Sequence, residues 1–169
     1  MDVTKAILSR RSIRKYTDKL ISDSDIEALL TAAMHAPSAV NEQPWHFVVI
    51  KDRKTLNEVS QLIHTAPMAK YAAVAIAVCG NKNSEKFPGL WVLDCCAAAE
   101  NILLEATGRK LGAVWTAVYP FEERINAIKD LLGLPANIIP LCIIPLGHPA
   151  EILTPVDRFN PSRIHYDGW

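Results

Sequence analysis

The chain lacks most of the features that would classify it at sight. Its 18 Lys and Arg balance 18 Asp and Glu, so no overall field draws it onto nucleic acid or an anionic membrane, and any anion site must be local. It has 7 glycines, arranged neither as GxGxxG nor as GxxxxGK, which excludes a Rossmann dinucleotide loop and a P-loop. The four cysteines, Cys79, Cys95, Cys96 and Cys142, form no CxxC pair or zinc-type spacing; they read as buried, reduced thiols, which fits a cytoplasmic protein. The most apolar runs, Tyr71 to Cys79 and Ile138 to Leu146, fall well short of the ~20 residues of a membrane-crossing helix. Residues Met1 to Lys5 carry no secretory signal pattern, so export is not expected.

Chemistry-bearing clusters are scarce as well. His46 and His64 are scattered, and His165-Tyr166-Asp167 has no second ligand at helical spacing, so no metal site is expected. No GxSxG elbow is present, and nothing activates a thiol, so no side-chain nucleophile or other catalytic residue is assigned. Asp94 and Glu100 lie six apart on a predicted helix and do not face each other, which argues against a carboxylate pair there.

What is present is an ordinary globular composition. With 169 residues, 50% hydrophobic and 21% charged, the chain has room for one domain, residues 1–169, and not two. Helical periodicity marks Val3 to Leu8, then Ile26 to about His35 after the cap candidates Ser22-Asp23-Ser24-Asp25, and a charged helix over about Arg53 to Ile63. A long helix runs from about Pro88 to Thr107 with Gly108 as its expected C-cap, and an amphipathic one from Glu122 to Leu132 ends at Gly133. Strands are expected at His46 to Ile50, Ala72 to Cys79, Ala113 to Tyr119 and Ile138 to Gly147, the last made irregular by Pro140 and Pro145. Helices and strands do not alternate regularly, so the fold class is α+β. Residues 148–169 follow as an extended tail carrying Ile152, Leu153, Phe159, Ile164, Tyr166 and Trp169. Such a tail should lie across a surface, which a second subunit could supply.

Three stretches could bind a ligand. Arg10-Arg11-Ser12-Ile13-Arg14 puts three guanidinium groups and a hydroxyl within five residues; it suits an anion, or it is a solvated cationic helix end. Ala36-Pro37-Ser38-Ala39-Val40-Asn41-Glu42-Gln43-Pro44-Trp45 holds two side-chain amides on a proline-bounded loop. Asn41 and Gln43 could meet the edge of a heterocycle or satisfy nearby backbone. Gly112 to Val118 could let a flat ring approach backbone N–H groups, or be an ordinary strand.

Taken in order, Arg10-Arg11-Ser12-Ile13-Arg14-Lys15-Tyr16, then Ala36 to Phe47, then Gly112 to Val118, then Arg158 resemble the nitroreductase family of FMN enzymes over nearly the whole chain. The resemblance implies an α/β sandwich with a central mixed sheet flanked by helices, forming an intertwined homodimer with FMN at the interface. By the same analogy Arg10, Arg11, Ser12 and Arg158 would bind the FMN phosphate, and Arg14 would lie near N1 and O2 of the ring. Asn41 and Gln43 would address the pyrimidine edge, Pro37, Ser38 and Ala39 would come from the other subunit, and an N–H of Thr116, Ala117 or Val118 would face N5. The activity implied is transfer of electrons from NAD(P)H through FMN to a small organic acceptor, nitroaromatic or quinone-like. Other chemistry on the same fold, such as dehalogenation or flavin destruction, or flavin binding without turnover, stays open.

Overall fold

Period-2 alternation of small and branched residues builds the centre of this protein, seen in a computed structural model that describes residues 2–169. In chain order the elements are α1 (Val3–Ser9), α2 (Asp23–Met34), β1 (Trp45–Ile50), α3 (Arg53–Leu62), β2 (Val74–Asn81), α4 (Trp91–Gly108), β3 (Gly112–Ala113), β4 (Thr116–Ala117), α5 (Glu122–Leu132) and β5 (Ile138–Gly147). The sheet order is β1-β2-β5-β3, with β4 also pairing β5. All these pairs are antiparallel, so the sheet is antiparallel and not the mixed one the resemblance implies; the parallel contact of Ser12 with Ala113 is an isolated bridge outside the strands.

Successive β2 side chains point to opposite faces, and both faces are covered. Val74, Ile76 and Val78 join Leu29 and Ala33 of α2 and Cys95, Ala98 and Ile102 of α4 in one core. Ala75, Ala77 and Cys79 join Leu56 and Val59 of α3 and Ile128 of α5 in the other. Helices on both sides of an antiparallel sheet make the α+β class expected from the sequence. Each core is worth several large side chains: truncating fully buried Ile102 to Ala should cost about 2–5 kcal/mol.

Local chemistry explains most boundaries. Ser22 caps α2, its Oγ accepting from Asp25 N–H at 3.1 Å, and Gly133 ends α5 in the left-handed conformation at φ 62°, as expected. Gly108 is not the C-cap of α4. That helix runs through Gly108 to Arg109, and the left-handed residue is Lys110 at φ 61°. The strand expected from Ala113 to Tyr119 is instead two short pieces. Val114 N–H reaches Pro145 O at 3.4 Å, and Pro145, having no N–H, cannot return the bond, so the ladder lapses between β3 and β4. In β5 the register shifts opposite Val78 and Cys79, next to Pro140, the irregularity that the prolines predict.

Candidate functional site

After α1 the chain runs along the open edge formed by β3 and β4. Pairing of Gly112 with Gly147 and of Thr116 with Ile143 makes successive residues alternate, so backbone groups of Ala113 and Ala117 point away from β5. Ala113 O accepts Ile13 N–H at 3.0 Å, Thr17 N–H donates to His148 O at 2.8 Å, and Ala150 N–H donates to Lys15 O at 2.9 Å. Two glycines permit this docking. A Cβ on Gly112 would meet Ile13 at 2.6 Å, and one on Gly147 would meet Tyr16 at 2.7 Å. The space at Gly112 is therefore filled by Ile13, not left for a ring. The Tyr16 hydroxyl lies 2.8 Å from Ile13 O and 3.1 Å from Pro145 O, and burial raises its phenol far above the ordinary range, keeping it a neutral donor.

Pinned in this way, residues 10–14 present their polar groups. Arg10 pairs through Nε with Glu100 at 3.1 Å. Arg14 bends its guanidinium to Ser12 O at 3.3 Å. Its backbone N–H and that of Lys15 donate to the Glu151 carboxylate at 2.7 and 3.1 Å. Among the described residues Arg11 forms no ion pair. Glu151 is a partner that sequence reading missed, since it lies more than 130 residues from the backbone it holds.

The 36–44 loop is strained. Val40, Asn41 and Gln43 all have positive φ, at 44°, 57° and 47°, a conformation costing about 1–3 kcal/mol for a side-chain-bearing residue. Its internal bonds offset this. Gln43 N–H donates to Ser38 Oγ at 3.0 Å, and Gln43 Nε2 donates to Asn41 Oδ1 at 2.8 Å. That amide pair leaves an NH2 on Asn41 and a carbonyl on Gln43, one donor and one acceptor on an exposed edge. Ala39 N–H reaches out of the loop to Asp94 Oδ1 of α4 at 3.0 Å. Asp94 is 6% exposed, and burial, reinforced by Glu42 and Glu85, raises its pKa against the lowering effect of the Ala39 bond. The carboxyl pair in this protein is thus Asp94 with Glu42. Its sequence signal was an acid within the buried stripe of α4.

On the same open edge, Val118 N–H is committed to Leu141 O at 3.1 Å and Thr116 Oγ1 to Ile143 O at 2.6 Å. Of the three candidate N–H donors, Ala117's is the one that alternation turns outward. Beside it Arg124, also missed from the sequence, donates from Nη1 to Ala117 O at 2.9 Å and lies 4.2 Å from the Phe121 ring. Arg158 lies in the exposed tail, and among the described residues no hydrogen bond or ion pair joins it to residues 10–14. A cavity of about 910 Å³ lined by α2, β1, Thr55 of α3 and Leu131 and Leu132 of α5 contains none of the predicted site residues. Cys79, Cys95 and Cys142 are buried and Cys96 half-buried, and no set of three or more metal-ligating groups occurs among the described residues. No helix among them is long and apolar enough to cross a membrane.

The Nitroreductase family model matches residues 7–79 and 64–148, so the chain belongs to the nitroreductase family, as the paired arginine and proline-loop motifs imply. It is 48% identical, over all of this chain and 88% of the other, to a Methanothermobacter thermautotrophicus protein provisionally named an NADH dehydrogenase/NAD(P)H nitroreductase. A crystal structure of a protein with the same provisional name from Parabacteroides distasonis superposes with a TM-score of 0.95. The two are 41% identical over 99% of this chain and 98% of that one. A provisionally named nitroreductase from Desulfovibrio desulfuricans, crystallised in complex with FMN, has a TM-score of 0.86 and 30% identity, covering 100% of this chain and 98% of that one.

Proposed function

We propose that this protein is an FMN-dependent NAD(P)H oxidoreductase that delivers electrons to a small organic acceptor, nitroaromatic or quinone-like, in two half-reactions at one site. The observation that carries the reading is the docking of Arg10 to Arg14 along the β3–β4 edge, which brings a cationic cluster to the strand where Ala117 N–H points outward.

The groups present fit FMN. A phosphate monoester matches the guanidinium forks of Arg10 and Arg11 and the Ser12 hydroxyl, with Arg158 arriving from a second copy. The donor and acceptor left on Asn41 and Gln43 suit the pyrimidine edge. Thr116, Ala117 and Val118 line the edge expected to face N5, with Ala117 N–H the favoured donor. Bound flavin supplies a ring that accepts two electrons from a nicotinamide and passes them on. Arg14 favours the negative charge that such a ring gains on reduction, because a fixed guanidinium costs no reorganisation at that moment. No side chain acts as a nucleophile.

A homodimer is part of the reading. Val3 and Leu8 of α1 and Leu93 of α4 are exposed, and in the tail Ile152 and Trp169 are fully exposed. Apolar surface so disposed calls for a partner, and a second copy would receive the tail and bring Pro37, Ser38 and Ala39 to the neighbouring flavin. The test is steady-state kinetics with FMN, NADH or NADPH and a quinone. Continuous nicotinamide consumption with parallel double-reciprocal lines supports the two-step scheme. No consumption with either nucleotide across a panel of quinones and nitroaromatics contradicts it.

A further inference from the structure

Two buried carboxyl oxygens, Asp94 Oδ2 and Glu42 Oε1, have no hydrogen-bond partner among the described residues. The remaining oxygens are occupied: Asp94 Oδ1 accepts Ala39 N–H at 3.0 Å, and Glu42 Oε2 accepts Lys86 N–H at 2.9 Å. A buried carboxylate oxygen left without a donor is costly, and a second acid acting on it, as Glu42 does on Asp94, adds to the cost. Among the described residues no cation resolves the conflict. The charged groups acting on Asp94 are Glu42 from the loop and Glu85 from the segment before α4, and among those residues neither Asp94 nor Glu42 forms an ion pair with a basic side chain. The neighbouring Cys95 thiol turns toward Cys79 O.

We propose that Asp94 is a positioning residue for the cofactor loop, holding the strained 36–44 segment through Ala39 N–H while sharing a single proton with Glu42. One proton between the two free oxygens satisfies both. Raising the pH transfers that proton to solvent base, leaving two carboxylates in one buried space, and the loop loosens. The loop carries Ser38, Ala39, Asn41 and Gln43, so the pair links the shape of the cofactor edge to pH. Geometry supports this: Ala39 N–H ties the loop to Asp94 at 3.0 Å, Glu42 follows on the same turn with its N–H on Ala39 O at 3.0 Å, and each acid keeps one buried oxygen without a donor among the described residues.

The consequence for cofactor binding rests on the flavin reading, so two measurements are made on the full chain. Carboxyl 13C NMR titration of the cofactor-free protein should show one of the two groups keeping its proton above the usual carboxylate range of about 4. Amide exchange of Ala39 should accelerate as that proton leaves. Asp94→Asn, whose amide accepts from Ala39 and donates to Glu42 at every pH, should abolish both effects. Ordinary titration of both carboxyls, or Ala39 exchange with the same pH dependence in Asp94→Asn after correction for intrinsic exchange, overturns the proposal. FMN dissociation constants from flavin fluorescence then test the cofactor link. Wild type should weaken relative to Asp94→Asn by roughly tenfold between about pH 5.5 and pH 9, phosphate ionisation cancelling in the ratio. A constant ratio overturns the link. Absence of FMN binding at every pH in both proteins overturns the flavin reading instead, while the titration still decides the shared proton. If Asp94→Asn does not fold, Glu42→Gln supplies the same permanent donor from the other side and should flatten the same profiles.

Discussion

Ile13 occupies the space that a side chain at position 112 would need, with a Cβ on Gly112 falling 2.6 Å from Ile13 Cγ2. The cationic segment therefore depends on a glycine about a hundred residues away. Gly112→Ala should destabilise the fold by about 1–3 kcal/mol in urea unfolding and also weaken FMN retention, since relief requires shifting residues 10–14. Retention equal to wild type in a folded Gly112→Ala protein would show that docking of Ile13 does not position the arginines.

Arg14 and the phosphate arginines should separate by phenotype. Arg14→Ala is expected to slow reduction by NAD(P)H in stopped flow more than it weakens FMN binding. Arg10→Ala and Arg158→Ala should mainly release the cofactor, by about tenfold or more each if a charge-assisted bond is lost. Equal losses of reduction rate and retention in Arg14→Ala would remove its proposed electronic role.

The tail should be needed for assembly. Removing residues 152–169, whose Ile152 and Trp169 are fully exposed in the single chain, is expected to yield monomers that do not retain FMN. Sedimentation of the shortened chain as a stable dimer would place the interface elsewhere.

Thiol chemistry should be quiet. Burial pushes the Cys79 thiol up to about 12 and raises Cys95 and Cys142 further, so these three stay protonated at neutral pH. Cys96, half-buried, is the only candidate for slow labelling by a disulfide reagent. Rapid labelling of Cys79, Cys95 or Cys142 in the native protein would contradict the packing of α4 on the sheet.

Two acids should give opposite pH signatures. The Thr55 N–H and hydroxyl depress the Asp52 carboxyl, lowering it below the ordinary value. Its contribution is therefore full at neutral pH and is lost as pH falls through the carboxylate range. Asp94 is raised, so its ionisation costs stability as pH climbs above the ordinary carboxylate value. In urea unfolding, the gap between wild type and Asp52→Ala should shrink on acidification. The gap by which Asp94→Asn exceeds wild type should grow with alkalinity.

The helices were legible because their signals are local: the Ser22 cap of α2 and the left-handed Gly133 after α5 each lie within a turn of the boundary they set. The split between β3 and β4 was not, because it arises from Pro145 on a strand that follows thirty residues later. At the site, the arginine cluster and the amide loop were readable as residue types in order. The partners Glu151 and Glu100 of the arginine segment were not, since each of those contacts joins distant segments. Asp94 was weighed only with Glu100, a pairing that helix spacing argues against; its partner is Glu42, delivered by a loop whose positive φ values no composition predicts.

The account turns on FMN reduced by a nicotinamide in this site, and the visible absorption spectrum of the purified, FMN-reconstituted protein tests it most directly. A flavin spectrum that remains after gel filtration and bleaches on anaerobic addition of NADH or NADPH is the predicted result. A colourless protein, or a bound flavin that dithionite bleaches and neither nucleotide does, would contradict it.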